Sequence, residues 1–277
     1  MRPLLAAKLE KLEDVKFPVL VSPKLDGIRC LIHKAQAVSR KLIPLPNRFL
    51  QECLFGLPEG LDGEIMIAGK NFNEIQSAVM SEDGFPNFRY NVFDIIMDKS
   101  YGDRYLSLKA INNPCVEIVD TSYCDNLEQL KRMEITAIQN GYEGIMLRSA
   151  NGIYKFGRST LKEGILLKYK RFKDDEAIII GFEEKYHNSN EVLKDNLGYT
   201  KRSTYKINKI PMNTLGALKV QWNNKKFNIG TGFTDILRKD IWEHRNDYLG
   251  ALTTFTYQEL LPTGIPRFPV FKTIRMD

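Results

Sequence analysis

The chain has 277 residues, of which 43% are hydrophobic and 27% charged, which suits one large and one small globular domain. No stretch approaches the roughly 20 apolar residues of a membrane span, and residues 1–17 are too acidic and too broken for a secretory signal. An intracellular protein of the cytoplasm or nucleus of its host cell is therefore expected, with no membrane contact. A formal net charge of +6, spread over both halves, suits a polyanionic partner bound by a folded surface rather than by a basic tail.

In chain order, Val19-Leu20-Val21 predicts a strand leading into Ser22-Pro23-Lys24, and residues 28–32 predict the strand that follows. Residues 64–67 and 90–96 are two more strand-like runs. Leu127, Leu130, Met133, Ala137 and Ile138 recur at helical spacing, so a helix is predicted over 127–140, stopped by Gly141. Residues 144–148 predict another strand. A charged joint spans 171–177. Beyond it come strands at 177–182, 216–222, 225–230, 251–257 and 268–275. A single helix at about 234–247 interrupts them, with Thr234 as N-cap and Gly250 near its end. Five strands and a helix in about 100 residues suit an OB-like barrel.

The four cysteines show no C-x-x-C spacing and the three histidines are scattered, which argues against zinc sites and histidine triads. Reduced, mostly buried thiols are expected. Chemistry must then run on Lys, Arg, Asp and Glu. Lys24-Leu25-Asp26-Gly27-Ile28-Arg29 offers a lysine with an arginine nearby and a glycine that lets the backbone approach a ligand. A lysine becomes a nucleophile when neighbouring cations or desolvation leave part of it neutral. Further along, Asp62-Gly63-Glu64 is read as preceding a strand. Phe93 lies in a strand and can stack on a base. Glu143-Gly144 puts a carboxylate at another strand entrance. Lys168-Tyr169-Lys170 alternates, so both ammonium groups share one face and can address one phosphate. Each signal alone is an ordinary turn or core residue; in this order they form a nucleotidyl-transfer set.

The series resembles the covalent nucleotidyltransferases, which comprise DNA ligases, RNA ligases and mRNA capping enzymes. Within them it resembles the small viral type of ATP-dependent DNA ligase. The likeness runs through residues 154–168, 194–204, 229–233 and 266–271, begins at 3–7 and Phe17-Pro18, and is weakest at about 98–125. The resemblance implies an α+β fold: a nucleotidyltransferase domain of ATP-grasp-like antiparallel sheets with helices over 1–171, and a C-terminal OB-fold β-barrel over 172–277. A latch-like DNA-binding insertion is expected at about 183–209, where the connection is long for two barrel strands.

The resemblance also assigns roles. Lys24 would take AMP from ATP, with Asp26 supporting the later steps. Arg29 and Glu64 would hold the ribose, and Ser22 would line the nucleotide pocket. Phe93 and Met146 would sandwich adenine, and Lys168 and Lys170 would neutralise the α-phosphate. Glu143, with Glu64, would bind Mg²⁺, for which Mn²⁺ is a substitute; Mg²⁺ keeps most of its waters and needs only one or two carboxylates. Arg267 and Arg275 would orient pyrophosphate. Arg40 and Arg158 would grip the 5′-phosphate of nicked double-stranded DNA, and Lys194, Lys201, Arg202 and Lys206 would contact it from the latch. Residues 155–173 add a phosphate track of seven basic side chains against one acidic. The expected enzyme is a monomer that closes around DNA and serves replication or repair.

Three other readings fit less. An RNA ligase or a GTP-using capping enzyme shares the short motifs, but the C-terminal half and its latch-like segment favour nicked duplex DNA. An NAD-dependent ligase would need an extra N-terminal module and a cysteine zinc finger. A non-catalytic OB protein leaves the lysine motif and its partners unexplained.

Overall fold

The computed structural model describes residues 2–195, 197–203, 205, 208–261 and 263–275. They divide into two compact units, one of residues 1–170 with 194–200, the other of residues 171–193 with 201–277.

Two five-stranded sheets build the first unit. One runs in the order Ala7–Lys8, Leu166–Tyr169, Ile145–Arg148, Val19–Pro23 and Ser122–Cys124, antiparallel except for the first pair. The other runs Gln36–Val38, Ile28–His33, Leu61–Ile67, Phe88–Ile95 and Val116–Ile118, antiparallel except for the last pair. Helix Leu127–Gln139 packs its buried Leu130 and Ala137 on the first sheet, and Gly141 follows it at φ +82°. That left-handed conformation is the one glycine adopts without cost, so the predicted stop works as expected.

Three helices went unread in the sequence: Arg48–Leu54, Phe72–Met80 and Tyr101–Leu108, each N-capped by an Asn or Ser side chain. They cover the second sheet, where Leu50, Ile75, Val79 and Leu108 join one apolar cluster with Ile65, Tyr90 and Val92. Asp62-Gly63-Glu64 does not precede its strand as expected; it lies inside Leu61–Ile67. The period of two therefore sends Asp62 and Glu64 to one face.

The second unit is a five-stranded sheet in the order Lys225–Ile229, Lys209–Trp222, Lys173–Asn188, Leu252–Tyr257 and Val270–Arg275, an OB-like arrangement. Just past the end of Lys225–Ile229, Thr231 bridges to Val270 at the start of the last strand, and Phe271 N donates to Thr231 O at 2.9 Å. The expected helix is two: Asp235–Glu243, capped by the Thr234 hydroxyl, and Arg245–Tyr248. The supposed charged joint is largely strand, because residues 173–178 pair with 252–257. Strands read at 177–182 and 216–222 run on as a long ribbon that stays paired to Asn188 and Lys209. Beyond the ribbon, Val192–Lys194 and Thr200–Arg202 form a small hairpin.

Candidate active site

A cleft of about 220 Å³ in the first unit is lined from one sheet by Ser22, Met146, Arg148, Leu166 and Lys168, and from the other by Arg29, Glu64 and Phe93. Lys24, Arg40 and Arg158 complete its polar rim. The two sheets thus bring together residues as distant in the chain as Arg29 and Lys168.

Lys24 follows directly on strand Val19–Pro23, and its backbone is clamped to the turn before the next strand. Its N–H donates to Gly144 O at 2.9 Å, and its carbonyl accepts from Glu143 N at 3.2 Å. This exchange sets Glu143 beside Lys24, and the Glu143 carboxylate accepts from both the Lys24 and the Lys170 ammonium groups. Gly144 is required here: it sits at φ +153°, and a Cβ would come 2.2 Å from Tyr169 O. Gly27 has a different reason, since a Cβ there would come 2.2 Å from Ile65 O. The glycine of the lysine motif thus lets the loop lie against the second sheet.

Charge couples these groups. Burial raises the Glu143 pKa, but Lys24 and Lys170 outweigh it and hold the carboxyl below its usual range. Burial, and then the Lys24 charge, lowers both Lys168 and Lys170. Glu64 is pushed up to about 7 by burial, with Arg29 and Lys24 pulling the other way.

The sign of that last shift gives a prediction. The folded chain binds the Glu64 proton more tightly than the unfolded chain, so stability falls as pH rises from about 4.5 to 7. Glu64→Gln removes this loss, and should stabilise the protein at pH 8 by on the order of 2 kcal/mol relative to its effect at pH 5. Thermal unfolding of both proteins at the two pH values checks it; an equal effect at both would refute the shift.

Sequence reasoning missed the residue that organises this wall. Asp62 has no exposed surface and accepts from Arg29 Nε and Nη2, both at 2.6 Å, and from the Tyr154 hydroxyl at 2.7 Å. The Tyr154 hydroxyl in turn accepts from Leu4 N at 3.1 Å. This pair fixes the Arg29 guanidinium 5.0 Å from the centre of the Phe93 ring. The alternation Asp62-x-Glu64 was the available signal. A second buried pair, Asp94 with Arg104 at 2.7 Å, anchors the end of the Phe93 strand to helix Tyr101–Leu108.

The remaining expected site residues are placed as follows. Arg158 Nη1 donates to Ala6 O at 2.6 Å, and Arg40 lies 5.2 Å from the ring centre of Tyr199. Asp26 stands in the lysine loop. In the second unit, Arg267 pairs with Glu259, and Arg275 pairs with Glu176 at 2.7 Å. Lys194 and Lys201 are exposed on the small hairpin, and Arg202 donates to Asn190 O. Lys206 lies outside the described residues. Among the described residues no three His, Cys, Asp or Glu side chains gather to hold a metal. The four cysteines are free thiols, with Cys30 and Cys124 buried. No helix is long and apolar enough to cross a membrane.

A lysine clamped beside a carboxylate, at a cleft with an aromatic ring and a second lysine, is the arrangement expected from the resemblance to covalent nucleotidyltransferases. Residues 3–170 match the family model of the ATP dependent DNA ligase domain, and residues 211–275 match that of the DNA ligase OB-like domain. The chain belongs to the ATP-dependent DNA ligases, enzymes that seal nicks in duplex DNA through an adenylate intermediate. Among solved structures it is similar to Chlorella virus DNA ligase-adenylate, at 38% identity over 100% of this chain and 98% of that one, with a TM-score of 0.56. The Lig E DNA ligases share the fold at 24% identity, 99% coverage of both chains and a TM-score of 0.77. The ligase of bacteriophage T7 in complex with ATP does so at 16% identity, covering 99% of this chain and 98% of that one, with a TM-score of 0.50. A search of curated proteins gave no match.

Proposed function

We propose that Lys24 carries the AMP and that the cleft beside it binds ATP. The observation behind this reading is the Lys24 ammonium held on Glu143 at the rim of a cleft lined by Ser22, Phe93 and Met146. Phosphoryl transfer needs in-line placement and neutralised oxygens more than acid–base groups, which suits a site without histidine. In the first step the Lys24 nitrogen attacks the α-phosphorus, a P–N bond forms, the bond to the β-phosphate oxygen breaks, and pyrophosphate leaves. Glu143 is the nearest carboxylate to the proton that Lys24 gives up. Lys168 and Lys170 neutralise the α-phosphate oxygens, Arg29 and Glu64 hold the ribose, and Phe93 and Met146 enclose the adenine. AMP then passes to the 5′-phosphate of a nick, and the 3′-hydroxyl displaces it, with Asp26 supporting these steps.

The residues present fit a divalent cation. Adenylation removes the positive charge of Lys24 and leaves Glu143 with one fewer counter-cation, and Mg²⁺ needs few protein carboxylates. Glu143 would hold it, with Glu64 as a second carboxylate, and the ion would supply charge neutralisation at the phosphates.

Arg40 and Arg158 on the cleft rim are proposed to grip the nick's 5′-phosphate, with Lys194, Lys201 and Arg202 adding contacts. Arg267 and Arg275 would exchange Glu259 and Glu176 for pyrophosphate. The adenylation domain is read as 1–171 and the OB domain as 172–277, in a monomeric enzyme that works where its host keeps DNA.

Incubation with α-labelled ATP and Mg²⁺, denaturing electrophoresis and an acid-lability test read out the P–N adduct. A label that survives acid would sink the proposal. Two variants should separate the steps. Arg158→Ala is expected to form the adduct at near-normal rate yet seal nicks at least tenfold more slowly. Arg267→Ala should show weak self-adenylation and fair sealing of DNA that already carries AMP. Both failing at one step would overturn these assignments.

A further inference from the structure

Arg148 stands two residues after Met146 on strand Ile145–Arg148, so its side chain leaves the same face and enters the cleft. It is 3% exposed. Its guanidinium lies 5.2 Å from the ring centre of Phe93 and 5.0 Å from that of Tyr101. A guanidinium has five N–H donors and no acceptor. Nη1 donates to the Ser22 hydroxyl at 3.2 Å, while the buried Nε has no partner among the described residues. Asp94, whose carboxyl feels the Arg148 charge, is committed to Arg104 through both oxygens. A buried donor left unpaired, on a charged group above all, is costly.

The register says which part of a nucleotide would supply the missing acceptor. Met146 stands opposite Ser22 and Lys168, whereas Arg148 stands opposite Leu20 and Leu166. Lys24 and Lys170 lie just beyond the other end of these strands. Arg148 is therefore two positions farther from the phosphate-binding lysines than Met146, about 6–7 Å along the strand. The part of ATP that reaches it is the edge of the base. The exocyclic amine of adenine is a donor in this plane, so the acceptors on its edges are the ring nitrogens.

We infer that Arg148 donates a hydrogen bond to a ring nitrogen of the adenine and so fixes the base edge in the cleft. Ser22 holds the guanidinium at the correct rotation, and the Phe93 and Tyr101 rings keep it flat. The inference rests on the cleft being the ATP site.

The test is single-turnover formation of the lysine adduct with ATP and with 1-deaza-, 3-deaza- and 7-deaza-ATP, each of which replaces one ring nitrogen by C–H. In the wild-type protein one analogue should need at least a tenfold higher concentration for half-maximal rate, with the saturated rate little changed. In Arg148→Met, ATP itself should weaken by a similar factor, and that analogue should no longer be worse than ATP. Three analogues that all match ATP in the wild type would overturn the inference, whether or not the variant folds. So would a variant that keeps the wild-type discrimination. Absence of any adduct from ATP in the wild type is a distinct outcome: it would sink the reading of the cleft, and Arg148 with it.

Discussion

Lys24→Ala is expected to abolish the covalent AMP adduct, with self-adenylation falling at least about a thousandfold and thermal stability nearly unchanged. The site holds three lysines, and two of them are chemically credible rivals. Burial and the Lys24 charge lower the pKa of Lys168 and Lys170, which makes each a better nucleophile than an exposed lysine. Lys170 also shares Glu143 with Lys24. Lys24 is distinguished by its motif, since Asp26 and Gly27 follow it in a loop that leads to Arg29 at the cleft, whereas Lys168 sits within a strand and Lys170 just past its end with no such motif beside them. Lys168→Ala and Lys170→Ala should therefore slow the first step and still accumulate adduct on long incubation. Lys24→Ala should accumulate none, yet retain some capacity to join DNA already carrying AMP, because that step does not use the nitrogen. Undiminished labelling of Lys24→Ala, with loss of labelling in either rival, would move the nucleophile.

The contrast between Lys24 and Arg148 shows what the sequence carried. Lys24, Phe93 and Lys168 were found because each sits in a short run with its own local logic, a glycine turn, a strand aromatic and an alternation, whereas Glu64 was read at a strand entrance that it does not occupy and Met146 came from the family resemblance alone. All five line the cleft or its rim. Asp62, Tyr154 and Arg148 were passed over because their roles exist only across the sheets. Tyr154 meets Asp62 from 92 positions away, and Arg148 meets Ser22 from 126. Length of elements failed for a related reason. Charged residues 173–176 read as a joint, but in the sheet they are paired with 254–257, and backbone pairing does not require an apolar side chain. The helices Arg48–Leu54, Phe72–Met80 and Tyr101–Leu108 are seven to nine residues long, too short for a strong periodic signal. Their stability comes from the sheet they cover.

Replacing residues 189–208 by a short Gly-Ser turn should leave self-adenylation within about twofold and weaken nick binding at least tenfold. The expected insertion was 183–209, but its outer residues belong to the ribbon that pairs as far as Asn188 and Lys209, so the cut falls beyond them. What is removed is a built element. Asn188 and Asn190 donate side-chain bonds to Ser203 O at 2.9 and 3.0 Å, and Asn190 donates another to Tyr205 O at 3.0 Å. At the far end Asp195 accepts from Leu197 N at 3.0 Å and Tyr199 N at 2.7 Å, closing a turn of which Asn196 lies outside the described residues. Gly198, at φ +78°, rests so close to Ile43 that a Cβ would come 2.2 Å from its Cδ1. The Tyr199 ring lies under Arg40 and Lys41. Arg40 is on the cleft rim, so the deletion can alter the first step slightly, while Lys24, Glu143 and the base-binding walls stay as they are. Nick binding should suffer because Lys194, Lys201 and Arg202 go with the hairpin and Arg40 loses its support. Each lost phosphate contact lowers the slope of log affinity against log salt by about 0.9, so three contacts predict a slope shallower by nearly 3. Fluorescence anisotropy with nicked duplex at a series of salt concentrations measures both quantities. An unchanged affinity and slope would reduce the hairpin to a connecting loop, and a lost first step would place it in nucleotide binding instead.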